Sequence, residues 1–221
     1  MKNSLYDKLK GYDLIIFDMD GTLYYQRGMQ IRMAFRLMSH ALSSKGGIKD
    51  ILAISKYRKL RETWDTGNRM DESGLYDAVA KETGLDPVRV RGIIKKWMLE
   101  NPMDVVGECR DEVLISLISR LQAEGKNICI YSDYPTEDKC KAVGLEREVP
   151  QYYCGKGEIK TLKPNPSALF YIMSEYPGIL RNKVIMVGDR ADRDKAAADN
   201  AGIDSLILGR FRLFRHRTGY R

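Results

Sequence analysis

Six aspartates, a serine and a lysine stand out because each closely follows a short apolar run. Asp18 and Asp20 lie two residues apart in Asp18-Met19-Asp20-Gly21-Thr22, directly after Leu14 to Phe17. Ser132 and Asp133 follow a second run. Lys163-Pro164 comes a short loop after a third, and Gly188-Asp189 with Asp192 and Asp194 follows a fourth. Three or more carboxylates gathered at one place repel strongly unless a cation neutralises them. Hard oxygen donors with few histidines or cysteines select magnesium. These residues therefore read as an acidic, magnesium-binding site, provided that the fold brings them together.

The runs that must do so are Asp13–Phe17, Asn127–Tyr131, Gln151–Cys154, Lys183–Val187 and Asp204–Leu208. Most are continuous rather than alternating, as in strands buried on both faces of a parallel sheet. Helical patterns separate the last four. Glu112 to Ala123 places Val113, Leu114, Leu117, Ile118 and Leu121 on one stripe, and Gly125 stops it. Asn165-Pro166 is a cap followed by a first-turn proline, opening a helix through Ser174. Alternating strand and helix predicts a doubly wound, Rossmann-like α/β domain with a mainly parallel sheet. In such sheets ligands bind at the carboxyl ends of the strands, where all the singled-out residues fall.

Residues 28–102 break that rhythm. Helices are expected to begin near Met29, Lys49, Ser73 and Pro87, with Ile31, Phe35, Met38 and Leu42 on one stripe and Val90, Ile94 and Trp97 on another. With no strand signal between them, this reads as an α-helical domain inserted after the first strand. The α/β core domain then comprises 1–27 and 103–221.

The chain resembles the haloacid dehalogenase superfamily from Asp13 to Gly202. The first motif of that superfamily, an apolar strand followed by D-x-D-G-T-L, is matched by Asp18-Met19-Asp20-Gly21-Thr22-Leu23. Its serine or threonine after the next strand is matched by Ser132, and its lysine, often followed by proline, by Lys163-Pro164. Its G-D with a second aspartate four or five residues on is matched by Gly188-Asp189 and Asp194. The helical insert is similar to the C1-type cap of the phosphoglycolate-phosphatase-like subgroup. Sugar-phosphate phosphatases and phosphoglucomutases share that layout.

The resemblance implies roles. Asp18 would attack phosphorus as an already ionised nucleophile and form an aspartyl-phosphate. Asp20 would protonate the leaving oxygen and then deprotonate the attacking water. Mg2+ would be held by Asp18, the Asp20 carbonyl, Asp189 and Asp194, while Lys163 and Ser132 would bind phosphate oxygens. Gly21, Thr22 and Asp133 are further candidates at the phosphate. Two positions stay open. Asp192 is either a helix cap or a rival of Asp194 for the metal shell, and Asp133 is alternatively the cap of a helix near Thr136. Superfamily members that break carbon–halogen bonds lack the acid two residues after the nucleophile, because a halide leaves without a proton. Asp20 thus points to phosphate esters.

Composition sets the outer bounds. The chain has 221 residues, 43% hydrophobic and 30% charged, which suits one core plus an insert and argues against disorder. No apolar run approaches the ~18–20 residues that cross a bilayer, and the first residues lack an apolar signal core, so a cytoplasmic location is the expectation. Four scattered cysteines and two histidines do not suggest zinc or a disulfide framework. The net charge of +7 is spread along the chain, so anionic substrates are expected rather than nucleic acid or membrane. The exception is a tail bearing Arg210, Arg212, Arg215, Arg217 and Arg221. The expected partner is a small-molecule phosphate ester, with a monomer or homodimer as the assembly. The expected activity is a magnesium-dependent phosphatase. The alternatives are a phosphotransferase or mutase of the same fold and a non-catalytic phosphate-ligand binder. Arg58, Arg61, Trp64, Asn68 and Arg69 are the insert residues that could read the leaving group.

Overall fold

The computed structural model describes residues 4–63, 71–145 and 149–209. Trp64, Asn68, Arg69, His216 and the arginines of the tail lie outside these residues. Five strands form one wholly parallel sheet: β1 (Leu14–Phe17), β2 (Asn127–Ser132), β3 (Gln151–Tyr153), β4 (Val184–Gly188) and β5 (Asp204–Ile207), in the order β3-β2-β1-β4-β5. The order reverses direction between β1 and β4, which opens a crevice at their carboxyl ends. Register places the ends side by side, because Phe17 pairs with both Ile130 and Val187.

The apolar strands are continuous because both faces are covered. Ile15, Phe17, Ile128 and Ile130 point to one side, where they join Leu114, Ile118 and Leu121 of the helix Glu112–Ala123 (α7 below). Leu14, Ile16, Cys129 and Met186 point to the other, against Leu169, Ile172 and Ala198. Asp111 caps α7 by accepting the Leu114 amide at 3.1 Å. Within that helix the expected stripe is buried at Leu114, Ile118 and Leu121, whereas Val113 is exposed. The helix after Asn165-Pro166 starts one residue later than expected, at Ser167 with Pro166 in the cap position, and the Asn165 side chain accepts the Ser167 amide at 2.9 Å. All four cysteines are free and buried. No helix among the described residues is long and apolar enough to cross a membrane.

The helices in chain order are α1 (Leu5–Leu9), α2 (Gln26–Ser43), α3 (Gly47–Glu62), α4 (Glu72–Thr83), α5 (Pro87–Ile94), α6 (Met103–Glu108), α7, α8 (Glu137–Val143), α9 (Ser167–Ser174) and α10 (Ala196–Ala201). A π-helical turn, Lys95–Glu100, links α5 to α6. Helices α2 to α5 pack chiefly on one another, and α6 joins α2 to α8. The chain leaves and re-enters the α/β part through two adjacent segments. The Tyr25 amide donates to the Cys109 carbonyl and the Asp111 amide to the Leu23 carbonyl, both at 2.9 Å.

One expectation is corrected here. Ile31, Phe35, Met38 and Leu42 do share a face of α2, but that face is exposed, from 46% at Ile31 to 89% at Leu42. Met29 and Met33 are buried instead, with Leu37 one turn further on partly covered. The helix is apolar on two sides, and periodicity alone does not say which side meets the core.

The α7 contrast yields a measurable prediction. Leu114→Ala empties a fully buried site and lowers urea-unfolding stability by about 2–5 kcal/mol. Val113→Ala, one residue away, changes it by less than about 0.5 kcal/mol.

Candidate active site

Asp18 emerges from the end of β1 with its amide bonded to the Val187 carbonyl at 2.8 Å, which fixes it between β1 and β4. The loop then turns tightly back. Leu23 bonds to the Met19 carbonyl, and Gly21 takes φ of +89°, which other residues rarely adopt. A Cβ on Gly21 would lie 2.3 Å from Asp189 Oδ2, so glycine is what lets Asp189 approach this loop. Thr22 is fully buried, and its hydroxyl donates to Asp18 Oδ2 at 3.1 Å.

Lys163 reaches this point from the loop before α9. Its ammonium donates to Asp18 Oδ1 at 2.6 Å and to Asp194 Oδ1 at 2.7 Å, with only 2% of the residue exposed. Asp133 holds Lys163 from behind, with Oδ1 accepting the Lys163 amide at 2.9 Å. The Asp133 carboxylate is thus spent on positioning the lysine and does not cap α8. Asp194 is fixed in turn by the amides of Asp189 and Arg190, which donate to its Oδ2 at 3.1 and 2.9 Å. Gly188 makes room, since a Cβ there would lie 2.3 Å from the Asp194 carboxyl. Asp192 turns outward to Arg190 at 2.6 Å, so of the two it is Asp194 that enters the cluster.

Oxygens of Asp18, Asp189 and Asp194 lie within 4.8 Å of one another. Lys163 bridges Asp18 and Asp194, and Asp189 stands beside them. Burial, with Asp194 and Asp20 nearby, pushes the Asp18 carboxyl well above its usual range despite Lys163. Burial alone would lower Lys163, but the carboxylates around it hold its pKa well above the usual value, so the ammonium persists. A hard divalent cation fits this donor set, because it needs all-oxygen ligands.

Asp20 belongs to a second ion pair. Lys139, one turn into α8, donates to both its oxygens at 2.6 and 2.7 Å. The Tyr24 hydroxyl also donates to Oδ1, and the Ser132 hydroxyl donates to Oδ2 at 3.4 Å. Burial raises the Asp20 carboxyl, but Lys139 and Tyr24 outweigh it and leave its pKa below the ordinary value. Burial and Asp20 together push Tyr24 far up, so its hydroxyl stays a donor.

Lys139 carried no signal in the sequence. It sits among Glu137, Asp138 and Lys141 as one more charged residue of a short helix, and only its burial against Asp20 marks it. Arg193 was equally silent. It donates to the Lys163 carbonyl and, at 2.8 Å, to the Glu62 carbonyl at the end of α3. Arg61, which could have faced substrate or solvent, is instead 1% exposed. It donates to the Asp133 carbonyl at 2.6 Å and to Tyr57 and Glu72, and lies over the Tyr134 ring. Arg61 and Arg193 thereby join α3 to the loops after β2 and β4.

Between these loops and the helical segment lies a cavity of about 430 Å³. Asp18, Asp20, Ser132, Lys163 and Asp189 form its floor, and Arg58 of α3 reaches it. Met29, Met33 and Leu37 of α2 form part of its roof, with Trp97 and Met98 of the π turn.

A family model described as haloacid dehalogenase-like hydrolase matches residues 12–202, which span every part of this site. The chain belongs to that family. No curated protein sequence matches it. Among solved structures it is similar to YfnB of Bacillus subtilis, described as a HAD-hydrolase bound to magnesium, with TM-score 0.64 and 15% identity over 89% of this chain and 88% of that one. A 2-haloacid dehalogenase from Pseudomonas syringae pv. Tomato DC3000 superposes with TM-score 0.63 and 16% identity, covering 89% and 86%. A structure designated a phosphatase from Clostridium difficile gives 0.53 and 18%, covering 91% and 89%. At these identities the likeness is one of fold. The protein is thus a hydrolase of this family with an α/β sheet, and its neighbours carry both phosphatase and dehalogenase descriptions.

The Asp20–Lys139 pair generates a pH-dependent prediction. A carboxylate whose folded pKa is depressed stabilises the fold above its unfolded value, here 3.8, and loses that contribution as pH falls through the folded one. Lys139→Met leaves Asp20 largely buried without its cation and costs about 3–5 kcal/mol at pH 7. The gap between variant and parent narrows as urea unfolding is repeated at falling pH, because Asp20 without its cation protonates before the paired Asp20 of the parent does.

Proposed function

We propose that the protein is a magnesium-dependent phosphatase that hydrolyses a small phosphate monoester through an aspartyl-phosphate on Asp18. The observation that carries this reading is the position of Asp20. Its carboxylate stands on the same cavity floor as Asp18, with three donors, Lys139, Tyr24 and Ser132, aimed at it. An alkoxide leaving group needs a proton and the later water must lose one, and a carboxyl group fixed beside the nucleophile can serve both steps. A halide needs neither.

In this mechanism an Asp18 oxygen attacks phosphorus in line with the leaving oxygen. Thr22 and Lys163 hold the carboxylate in one orientation. Asp20, held by Lys139 and Tyr24, gives its carboxyl proton to the departing alcohol and regains one from the water that cleaves the acyl phosphate, so it ends the cycle as it began. Lys163 offsets charge on the transferring group, and the Ser132 hydroxyl is within reach to donate to a phosphate oxygen. Mg2+ held by Asp18, Asp189 and the Asp20 carbonyl, with Asp194 orienting the shell, would screen the nucleophile from the phosphate. The helices between β1 and α7 serve as a C1-type cap that closes over the phosphate, anchored at Arg61 and Arg193 and hinged at the paired segments around Tyr24 and Arg110. YfnB, whose structure is described as revealing interdomain movement, supports a mobile cap. Four free buried cysteines support a reducing, cytoplasmic setting.

A second reading, carbon–halogen hydrolysis, is favoured by the dehalogenase neighbour and by the apolar roof of the cavity. Assays for phosphate release from p-nitrophenyl phosphate and for halide release from 2-haloacids separate the two. The proposal expects phosphate release that chelation abolishes and Mg2+ restores. Asp18→Asn is expected to lower kcat by about a thousandfold or more, the scale lost with other covalent nucleophiles. Halide release without phosphate release would reverse the assignment.

A further inference from the structure

The roof of the cavity has a chemistry of its own. The insert residues that line it and are buried are apolar, among them Met29, Met33, Ile54 and Trp97. The polar insert residues that line it, Gln30, Arg58 and Glu62, are exposed, and Arg58 stands near enough to Tyr24 and Tyr134 to act on both electrostatically. The buried part of the insert's wall therefore offers a leaving group few hydrogen-bond partners. A sugar or polyol enclosed there would strip water from several hydroxyls without replacing those bonds, at a cost of about 1–3 kcal/mol for each unmatched group.

The backbone is arranged to present this wall. The π turn Lys95–Glu100 brings three consecutive residues, Trp97, Met98 and Leu99, to the cavity. Such turns are rare and concentrate at functional sites. On α2, Met29, Met33 and Leu37 follow at spacings of four, so one face of the helix lies along the cavity. Methionines adapt to apolar ligands of differing shape. Trp97 adds a flat aromatic surface, already paired with His40 at 5.0 Å between ring centroids.

We infer that the alcohol released by this enzyme is apolar, an alkyl or aryl group rather than a sugar or polyol, and that Leu37, Trp97 and Met98 are among the residues that select it. The inference rests on the phosphatase reading for the phosphate end and on the cavity wall for the other end.

The test uses two series on the full-length Mg2+-loaded protein: n-alkyl phosphates from methyl to hexyl for turnover, and the matching n-alkylphosphonates for calorimetric binding. Burying each added methylene is worth about 0.8 kcal/mol, so both kcat/KM and phosphonate affinity should rise about fourfold per carbon until the cavity is full. Propyl phosphate should exceed glycerol phosphate, which matches it in length and adds two hydroxyls, by about tenfold or more. Leu37→Asn and Met98→Gln should each lower the hexyl-to-methyl ratio by about tenfold. A ratio within one enzyme preparation is untouched by a loss of folded fraction. Turnover of the esters with a flat series, or with glycerol phosphate preferred, would overturn the inference and leave the phosphatase standing. A rising phosphonate series with no ester turned over would uphold the apolar site and overturn the phosphatase. Flat phosphonate binding without turnover would overturn both.

Discussion

The buried ammonium of Lys163, shared between Asp18 and Asp194, is the interaction on which the rest of the site depends. An isolated charge so deeply buried would be prohibitive, and so would three carboxylates without a cation. Each makes the other tolerable. The surrounding structure holds the lysine from both ends: Asp133 takes its amide, Arg193 its carbonyl, and Asp18 and Asp194 its side chain. The carboxylates of Asp18, Asp189 and Asp194 form an all-oxygen donor set that suits a hard divalent cation.

A second buried pair, Lys139 with Asp20, stands beside the first. Its charges balance one to one, so Asp20 stays ionised while Asp18 is strained upward. Two carboxylates two residues apart acquire opposite electrostatic situations because they point toward different cations.

The helical insert is tied to this centre through main-chain carbonyls rather than through catalytic side chains. Arg61 binds the Asp133 carbonyl and Arg193 the Glu62 carbonyl, so the groups that hold Lys163 also hold the end of α3. The insert and the lysine are in this way held by the same two loops. The insert's buried lining is otherwise apolar, which leaves polar recognition to the floor and shape recognition to the roof.

The amino-acid sequence by itself determined the five strands, their parallel order of use and the residues at their ends. Continuous apolar runs follow from burial on both faces, and glycine at 21 and 188 follows from carboxylates packed where a Cβ would stand. Asp18, Asp20, Ser132, Lys163, Asp189 and Asp194 were legible because short spacing after a strand constrains position whatever the rest of the chain does. Motif spacing favoured Asp194 over Asp192, and the structure supplies the physical reason: the Asp194 side chain meets the amides of Asp189 and Arg190. Lys139, Arg61 and Arg193 were decided only by the tertiary structure, for a charged residue on a helix looks the same in sequence whether it faces water or a buried partner. The same holds for α2, where two apolar stripes compete and only packing shows that Met29 and Met33 turn inward while Phe35 and Leu42 face solvent.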